Sequence, residues 1–523
     1  MLVDTVSGRL CNKSERAAAF ESTPAFTKLM SSMTTKMDRP HIEKGVREYY
    51  RYATFSHKWE ENEPLFENVT KVMVYDLEAS PTHEKLKKFC NIVREAGFNW
   101  AWSDTCCINQ GDHFVLQEAL VSMFKWYEGS AMTIIFLRGV GRLARRGALT
   151  RSIWNTRAWT LQEYHASKVV RFYTEDWTPY LGLDIHNHKD SPEIISEMEE
   201  ATGISAQALL ALRPGLDDIR EKLCLASKRQ ATRVEDAAYS LLGIFSTSLP
   251  VIYGEGERAL GRLLAQLLTS SGDMSIFAWM GRSSSFNSCL PANIAVFDQP
   301  LTSHIPLAPS NVQIETITTA LRTSSLDITL VTELYDKLND LLVPSFGDRR
   351  LRLPCLAFKL GRNSVFRKGS KRAFRAQTDA LGIVEITTNE DFSQSDSLYL
   401  VHPWIDFLLG REPVGSVAQT ISGDVKGLST ALQKRGAPRL GRPSIASLRP
   451  PSTISPMEKQ ARALELVARL RQPFGALLLV QQVGANVYKR VVAGTLITVR
   501  VEDITPAVLS KLVQSVRTLD VLR

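Results

Sequence analysis

Apolar and polar positions switch between two periods along the N-terminal part of the chain. RYATFSHKW, from Arg51, reads as a short strand ending at the polar pair Ser56 and His57. In HEKLKKFCNIVREAGF, Leu86, Phe89, Cys90 and Val93 recur at helical spacing, and Gly97 is a stop. NWAWSDTCCINQ is a strand ending near Asp104. FVLQEALVSMFKWYEGS is an amphipathic helix with Leu116, Leu120, Met123 and Tyr127 on related faces. AMTIIFLR is apolar enough for a strand buried on both faces. A helix around Trp159 and a strand at KVVRFY follow. This alternation predicts right-handed crossovers and a parallel sheet. Ligands in such sheets sit beyond the C-terminal strand ends. Ser56, His57, Asp104 and the Cys107–Gln110 segment all fall on that rim.

Farther on the period is helical, through ISAQALLALRPGLDDIREKLCLAS, TRVEDAAYSLLGIF and GEGERALGRLLAQLL, with Gly243 ending one helix. From about residue 290 the texture becomes strand-like, in NVQIETITTALR, SLDITLVTEL, LRLPCLAFKL, LGIVEITTN and KRVVAGTLITVRVED. Residues 425–456 are rich in Pro, Gly and Ser, with six Lys or Arg and no acid, and predict a flexible insert. The expected organisation is an N-terminal extension 1–48, an α/β domain 49–180, a helical segment 181–285 and a β-rich domain 286–523.

Length and composition narrow the class. A chain of 523 residues exceeds one typical core. Its 44% hydrophobic and 23% charged content is that of an ordinary folded protein. Seven cysteines, two of them adjacent, point to a reducing compartment and not to a disulfide scaffold. No apolar run reaches the length of a bilayer span and no leader pattern opens the chain, so a cytoplasmic protein is expected. The net charge of +8 allows anionic partners without identifying one.

Several chemistries are disfavoured by spacing. There is no Gly-rich dinucleotide fingerprint and no P-loop, and YGEGERALG lacks the lysine that a P-loop needs. A turn before a helix accounts better for those glycines. Cys106 and Cys107 have no second pair to complete a tetrahedral zinc site, so no metal is expected. Cys107 as a nucleophile would need His57 brought close as its base. Six arginines between Arg138 and Arg157, with no acid among them, read either as a solvated basic loop or as a phosphate-facing lip. No nucleic-acid-reading module accompanies them.

Three blocks together resemble a known family. Phe55-Ser56-His57-Lys58-Trp59, Trp102 to Gln110 and Arg157-Ala158-Trp159-Thr160-Leu161-Gln162-Glu163 look like the fungal heterokaryon-incompatibility (HET) domain. The run from Glu235 and Tyr253-Gly254-Glu255-Gly256 resemble the segment that follows it, so the resemblance covers about residues 49–281. Cys107 matches the cysteine before Ile-Asn-Gln, and Cys106 is a local variation.

The resemblance implies self/non-self recognition and cell death on fusion of unlike hyphae. It also implies a distant relation to Toll/interleukin-1 receptor (TIR) domains, hence a flavodoxin-like parallel sheet. Some TIR domains cleave NAD with a helix glutamate in a Trp-Cys-x-x-Glu pattern. Trp159 to Glu163 resembles it, with Thr160 in place of the cysteine. Glu163 thereby becomes the expected catalytic residue, and Ser56, His57, Trp59, Asp104, Asn109, Arg157 and Trp159 the expected substrate-binding set. NAD is then a substrate and no cofactor is required. A carboxylate can stabilise oxocarbenium character on ribose, as in glycosidases. Read without its motif, Glu163 is a surface acid or an arginine partner. The contrasting reading is a non-catalytic module that assembles with its own kind or with other incompatibility proteins. A nuclease would need paired metal-binding acids, which are not evident.

Overall fold

The computed structural model describes all residues except 34–38, 299–310, 323–325, 369–370, 379, 389, 391–395, 405–454, 483–484 and 502. Most of the expected flexible insert therefore lies outside the described residues; Ser455 and Pro456 open a helix, Pro456–Leu470, capped by the Ser455 hydroxyl. The chain divides into two compact units, Met1–Leu260 and Gly261–Arg523.

The first unit is built on a six-stranded sheet. Its strands are β1 (Leu2–Asp4), β2 (Leu10–Cys11), β3 (Tyr52–Ser56), β4 (Trp100–Trp102), β5 (Met132–Leu137) and β6 (Val170–Thr174), in the order β2-β1-β4-β3-β5-β6. Strands β4, β3, β5 and β6 are parallel, as the alternating periods require. The sheet is nonetheless mixed, because β1 runs antiparallel to β4 and β2 antiparallel to β1. It does not begin at residue 49. Leu2 and Val3 are buried, and three residues are too short a strand for periodicity to reveal.

All six residues of β5 are buried, which explains its unbroken apolar run. The helix Pro81–Glu95 starts at the Ser80 cap, with proline in its first turn, and buries Leu86, Phe89, Cys90 and Val93. Gly97 follows at φ 83°, a conformation that suits glycine. The helix His113–Gly129 starts at Asp112, whose carboxylate accepts the Phe114 and Val115 amides. It buries Leu120, Met123 and Tyr127.

The expected helix through TRVEDAAYSLLGIF is a single short turn, Asp236–Tyr239, followed by turns. Gly243 is not a helix stop. A Cβ there would lie 2.2 Å from Phe124 Cβ, so glycine allows the His113–Gly129 helix to approach this segment. Gly254 and Gly256 take φ of 95° and 62° in a turn leading into the helix Arg258–Ser271, the role expected of YGEG. Glu235 Oε1 accepts both of their amides, at 2.8 and 2.9 Å.

The second unit contains a closed barrel. Its strands are β7 (Ser345–Gly347), β8 (Arg350–Lys359), β9 (Gly361–Lys368), β10 (Lys371–Thr378), β11 (Gly382–Thr388), β12 (Ser397–Pro403), β13 (Phe474–Gln481), β14 (Val487–Val491), β15 (Ile497–Val499) and β16 (Val516–Val521). The path β8-β12-β13-β14-β16 returns to β8, and β9, β10 and β11 form a separate antiparallel sheet. Closure removes free edges from those five strands.

Two segments expected as strands are helices, Asn311–Arg322 and Ile328–Asn339. Their β-branched residues suggested strand, but Val331, Leu334, Tyr335 and Leu338 are buried at helical spacing. Asp327 caps the second helix through the Thr329 and Leu330 amides. Period outweighs propensity once a core is there to receive the stripe.

Candidate functional site

The parallel strands deliver their C-terminal residues to one rim of the first unit. Ser56 ends β3, and His57 and Trp59 follow it. Asp104 begins a one-turn helix directly after β4. Between β5 and β6 lie a short helix, Ile153–Thr156, and the eight-residue helix Trp159–Ala166 that carries Glu163.

Glu163 is not a surface acid: it is 6% exposed. The Ser56 hydroxyl donates to its Oε2, and Trp154 Nε1 donates to Ser56 Oγ at 2.7 Å. Burial pushes the Glu163 carboxyl from 4.5 up to about 8, reinforced by the Asp104 charge. The Ser56 hydrogen bond and the charges of Arg157 and Arg229 pull the other way. The Tyr127 hydroxyl, which donates to the Phe55 carbonyl at 2.9 Å, lies beside the same carboxyl and is raised by burial first and by Glu163 second.

A ladder of hydroxyls fixes the far end of the Glu163 helix. Ser167 Oγ donates to the Glu163 carbonyl at 2.6 Å and pairs with Thr133 Oγ1 on β5. Thr133 pairs in turn with Thr54 Oγ1 on β3, at 2.6 Å. The helix bearing the carboxyl is thus tied to two strands through side chains that sequence periodicity passes over.

Asp104 is half-buried. Trp59 Nε1 donates to its Oδ2 at 2.9 Å, while its buried Oδ1 has no hydrogen-bond partner among the described residues. Burial raises its carboxyl, opposed by His57, the Trp59 hydrogen bond and Arg157. His57 is 5% exposed and stacks on Phe55, with ring centroids 4.2 Å apart. Its Nε2 lies 3.6 Å from Glu63 Oε1, and neither ring nitrogen makes a hydrogen bond among the described residues. Glu63 also pairs with buried Lys85, which reaches Glu60 at 3.0 Å. Burial acts to raise the Glu63 carboxyl, but His57 and Lys85 outweigh it and hold it low. Arg157 is half-buried and forms no ion pair among the described residues.

Ser56, Asp104, Arg157 and Glu163 therefore lie within electrostatic or hydrogen-bond reach of one another, with Trp59 and His57 beside Asp104. Two expected members are engaged elsewhere. Asn109 Oδ1 accepts the Gly111 amide at 3.1 Å, a turn contact. Trp159 stands beside Asp236 and acts to lower its carboxyl against burial, and Asp236 accepts from the Tyr253 hydroxyl at 2.9 Å. Trp154, Tyr127 and Arg229 were not anticipated. Trp154 stands three residues before the third motif block, but Arg229 lies 66 positions beyond Glu163 with no local signal.

The sulfurs of Cys106 and Cys107 are buried, 4.0 Å apart, and Cys107 Sγ accepts the Ser103 amide at 3.4 Å. Among the described residues no group of three or more His, Cys, Asp or Glu could hold a metal ion, and no helix is long and apolar enough to cross a membrane.

An α/β domain with a buried carboxyl under the ends of its parallel strands is the class that fold and site define. Residues 52–147 match the family described as heterokaryon incompatibility protein (HET). It is 33% identical to the vegetative incompatibility protein HET-E-1 of Podospora anserina, over 42% of this chain and 16% of that protein. The chain thus spans only a small part of that relative's length. No solved structure matches it.

Proposed function

We propose that residues 49–180 form a TIR-like effector of fungal self/non-self recognition that promotes regulated cell death by cleaving NAD at the nicotinamide–ribose bond. The observation that carries the reading is the carboxyl of Glu163, buried beneath the strand-end rim and held by Ser56. The relative's name, an incompatibility protein, supports the biological role. The strand order β4-β3-β5-β6 is the 2-1-3-4 order of flavodoxin-like sheets, which supports the TIR-like assignment.

The reaction balances simply. The bond between ribose C1′ and the nicotinamide nitrogen breaks, and its electron pair leaves with nicotinamide. Water adds at C1′ and a proton is released, giving ADP-ribose. Oxocarbenium character develops on the ribose as the bond lengthens. Ionised Glu163 stabilises that charge, an interaction that strengthens toward the transition state. The cationic nicotinamide ring favours ionisation of a carboxyl otherwise held near 8. Asp104 Oδ1 is an acceptor for a ribose hydroxyl, and Arg157 a cation for the pyrophosphate. In this reading the activity needs no cofactor, the partner is NAD or a related nucleotide, and the β-rich part, 286–523, restrains or localises the effector.

One observation favours a second reading, a module that signals by assembly with itself or another incompatibility protein. Glu163 is almost out of reach of solvent, and Ser56 and Trp154 complete a hydrogen-bonded chain that would serve equally as a structural pin. The deciding measurement is nicotinamide release from NAD by the full chain and by Glu163→Gln, over a range of protein concentrations. Release by wild type alone supports catalysis. Equal release by both removes Glu163, and killing on overexpression by both without release leaves assembly as the function.

A further inference from the structure

Arg229 is 8% exposed and forms no ion pair among the described residues. Its three hydrogen bonds go to neutral oxygens: Arg157 O at 3.0 Å, Thr160 Oγ1 at 2.8 Å and Asn155 Oδ1 at 3.1 Å. A buried guanidinium is costly unless its charge is answered. The opposite charge acting on it is that of Glu163, which raises Arg229 against the larger, lowering effect of burial.

The backbone beside it supplies the second half of a clamp. Gln230 donates its amide to Thr156 O at 2.6 Å and accepts the Ala158 amide at 2.8 Å. These contacts grip the turn between the Ile153–Thr156 helix and the helix bearing Glu163. Thr160, held by Arg229, stands three residues before Glu163, so the two share a helix face. Its hydroxyl also reaches Trp154 O at 2.7 Å, and Trp154 begins the hydrogen-bonded chain to Glu163. The planar fork of arginine reaches these three acceptors from two separate nitrogens, whereas lysine would present all its donors from a single atom.

We propose that Arg229 is a positioning residue for Glu163: its guanidinium sets the pose of the carboxyl-bearing helix and its charge favours the ionised carboxylate. The functional site then extends past the family-matched residues 52–147 to include Arg229 and Gln230. This rests on the reading of Glu163 as the group on which function turns. The groups that face Glu163 are Asp104 and Tyr127, which disfavour its ionised form or compete for it, and Arg157 and Arg229, which favour it. Lys189 and Lys222, with Arg229, act on His165 of the same helix.

The test uses the full chain and a readout independent of turnover. The infrared carbonyl band of a protonated buried carboxyl is followed from acid to alkaline pH and assigned to Glu163 by its loss in Glu163→Gln. Arg229→Gln should raise the midpoint, lowering the ionisation constant by roughly threefold or more, whereas Arg229→Lys should stay closer to wild type. An unmoved midpoint in folded Arg229→Gln would overturn the proposal. If that variant does not fold, Thr160→Val frees the guanidinium while keeping its charge. A shifted band frequency or midpoint there supports the positioning role, and an unchanged band overturns it. Nicotinamide release is assayed on the same preparations. Its absence from wild type counts against NAD cleavage and leaves the coupling of Arg229 to Glu163 to be judged by the infrared result alone.

Discussion

Ser56, the last residue of β3, donates its hydroxyl proton to Glu163, 107 residues later in the chain. The same oxygen accepts Trp154 Nε1 at 2.7 Å, so one hydroxyl satisfies two buried groups from two helices. Ser56→Ala leaves both without that partner. We expect a loss of about 1–3 kcal/mol, the usual cost of an unsatisfied buried polar group, measured by urea unfolding. The Glu163 midpoint should also move upward, because Ser56 is one of the groups lowering it.

Glu163 predicts an unusual pH dependence of stability. Its carboxyl is raised in the fold, from 4.5 to about 8, so the native state binds its proton more tightly than the unfolded chain. The stabilisation is complete below about 4.5 and is lost as pH rises through about 8. The contribution approaches about 1.4 kcal/mol per pH unit in that window. Glu163→Gln, neutral throughout, should flatten the curve and be relatively more stable at pH 8. Denaturant midpoints across pH for both proteins check this, and parallel curves would sink it.

Asp104→Asn tests the carboxyl pair from the other side. The Asp104 charge raises Glu163, so its removal should lower the Glu163 midpoint, opposite in sign to Ser56→Ala and Arg229→Gln. An amide oxygen can still accept from Trp59 Nε1, so the fold should survive. Infrared titration of Glu163 in the three variants gives the comparison; a rise in Asp104→Asn would contradict it.

Gly243→Ala should destabilise the first unit. The added methyl would lie 2.2 Å from Phe124 Cβ, within the reach of backbone-linked atoms that cannot rotate away. Overpacking of this kind costs about 1–3 kcal/mol. A compensating Phe124→Ala change should recover less than the full loss, since it opens space but removes packing. Thermal melts of the single and double variants decide the coupling.

His165, half-buried on the Glu163 helix, is held down to about 3 by desolvation of its ring and by Lys189, Arg229 and Lys222. A depressed group stabilises above its ordinary value of 6.5 and loses that contribution as pH falls toward about 3. His165→Gln should therefore lessen the loss of stability between those limits. Acid unfolding of the variant showing the wild-type slope would remove His165 from the acid response.

The parallel core was legible because its signals are local. The unbroken apolar run of β5 and the stripe Leu86, Phe89, Cys90 and Val93 each state a burial pattern within one element. Strand ends follow from those periods, and with them the rim carrying Ser56, His57 and Asp104. What one element cannot state is what meets it. β1 and β2 are too short to carry a period, and the helices Asn311–Arg322 and Ile328–Asn339 were hidden by β-branched residues whose packing against a core decides their state. The burial of Glu163 depends on Trp154, Ser56 and Tyr127 converging from a helix turn, a strand end and a second helix. Asn109 and Trp159, though in the motif blocks, are turned to Gly111 and Asp236 by contacts of their own. Arg229 reaches the site only because the chain returns to it. Sequence alone determined the periods and hence the rim; tertiary structure decided which rim groups lose water, and desolvation is what raises Glu163.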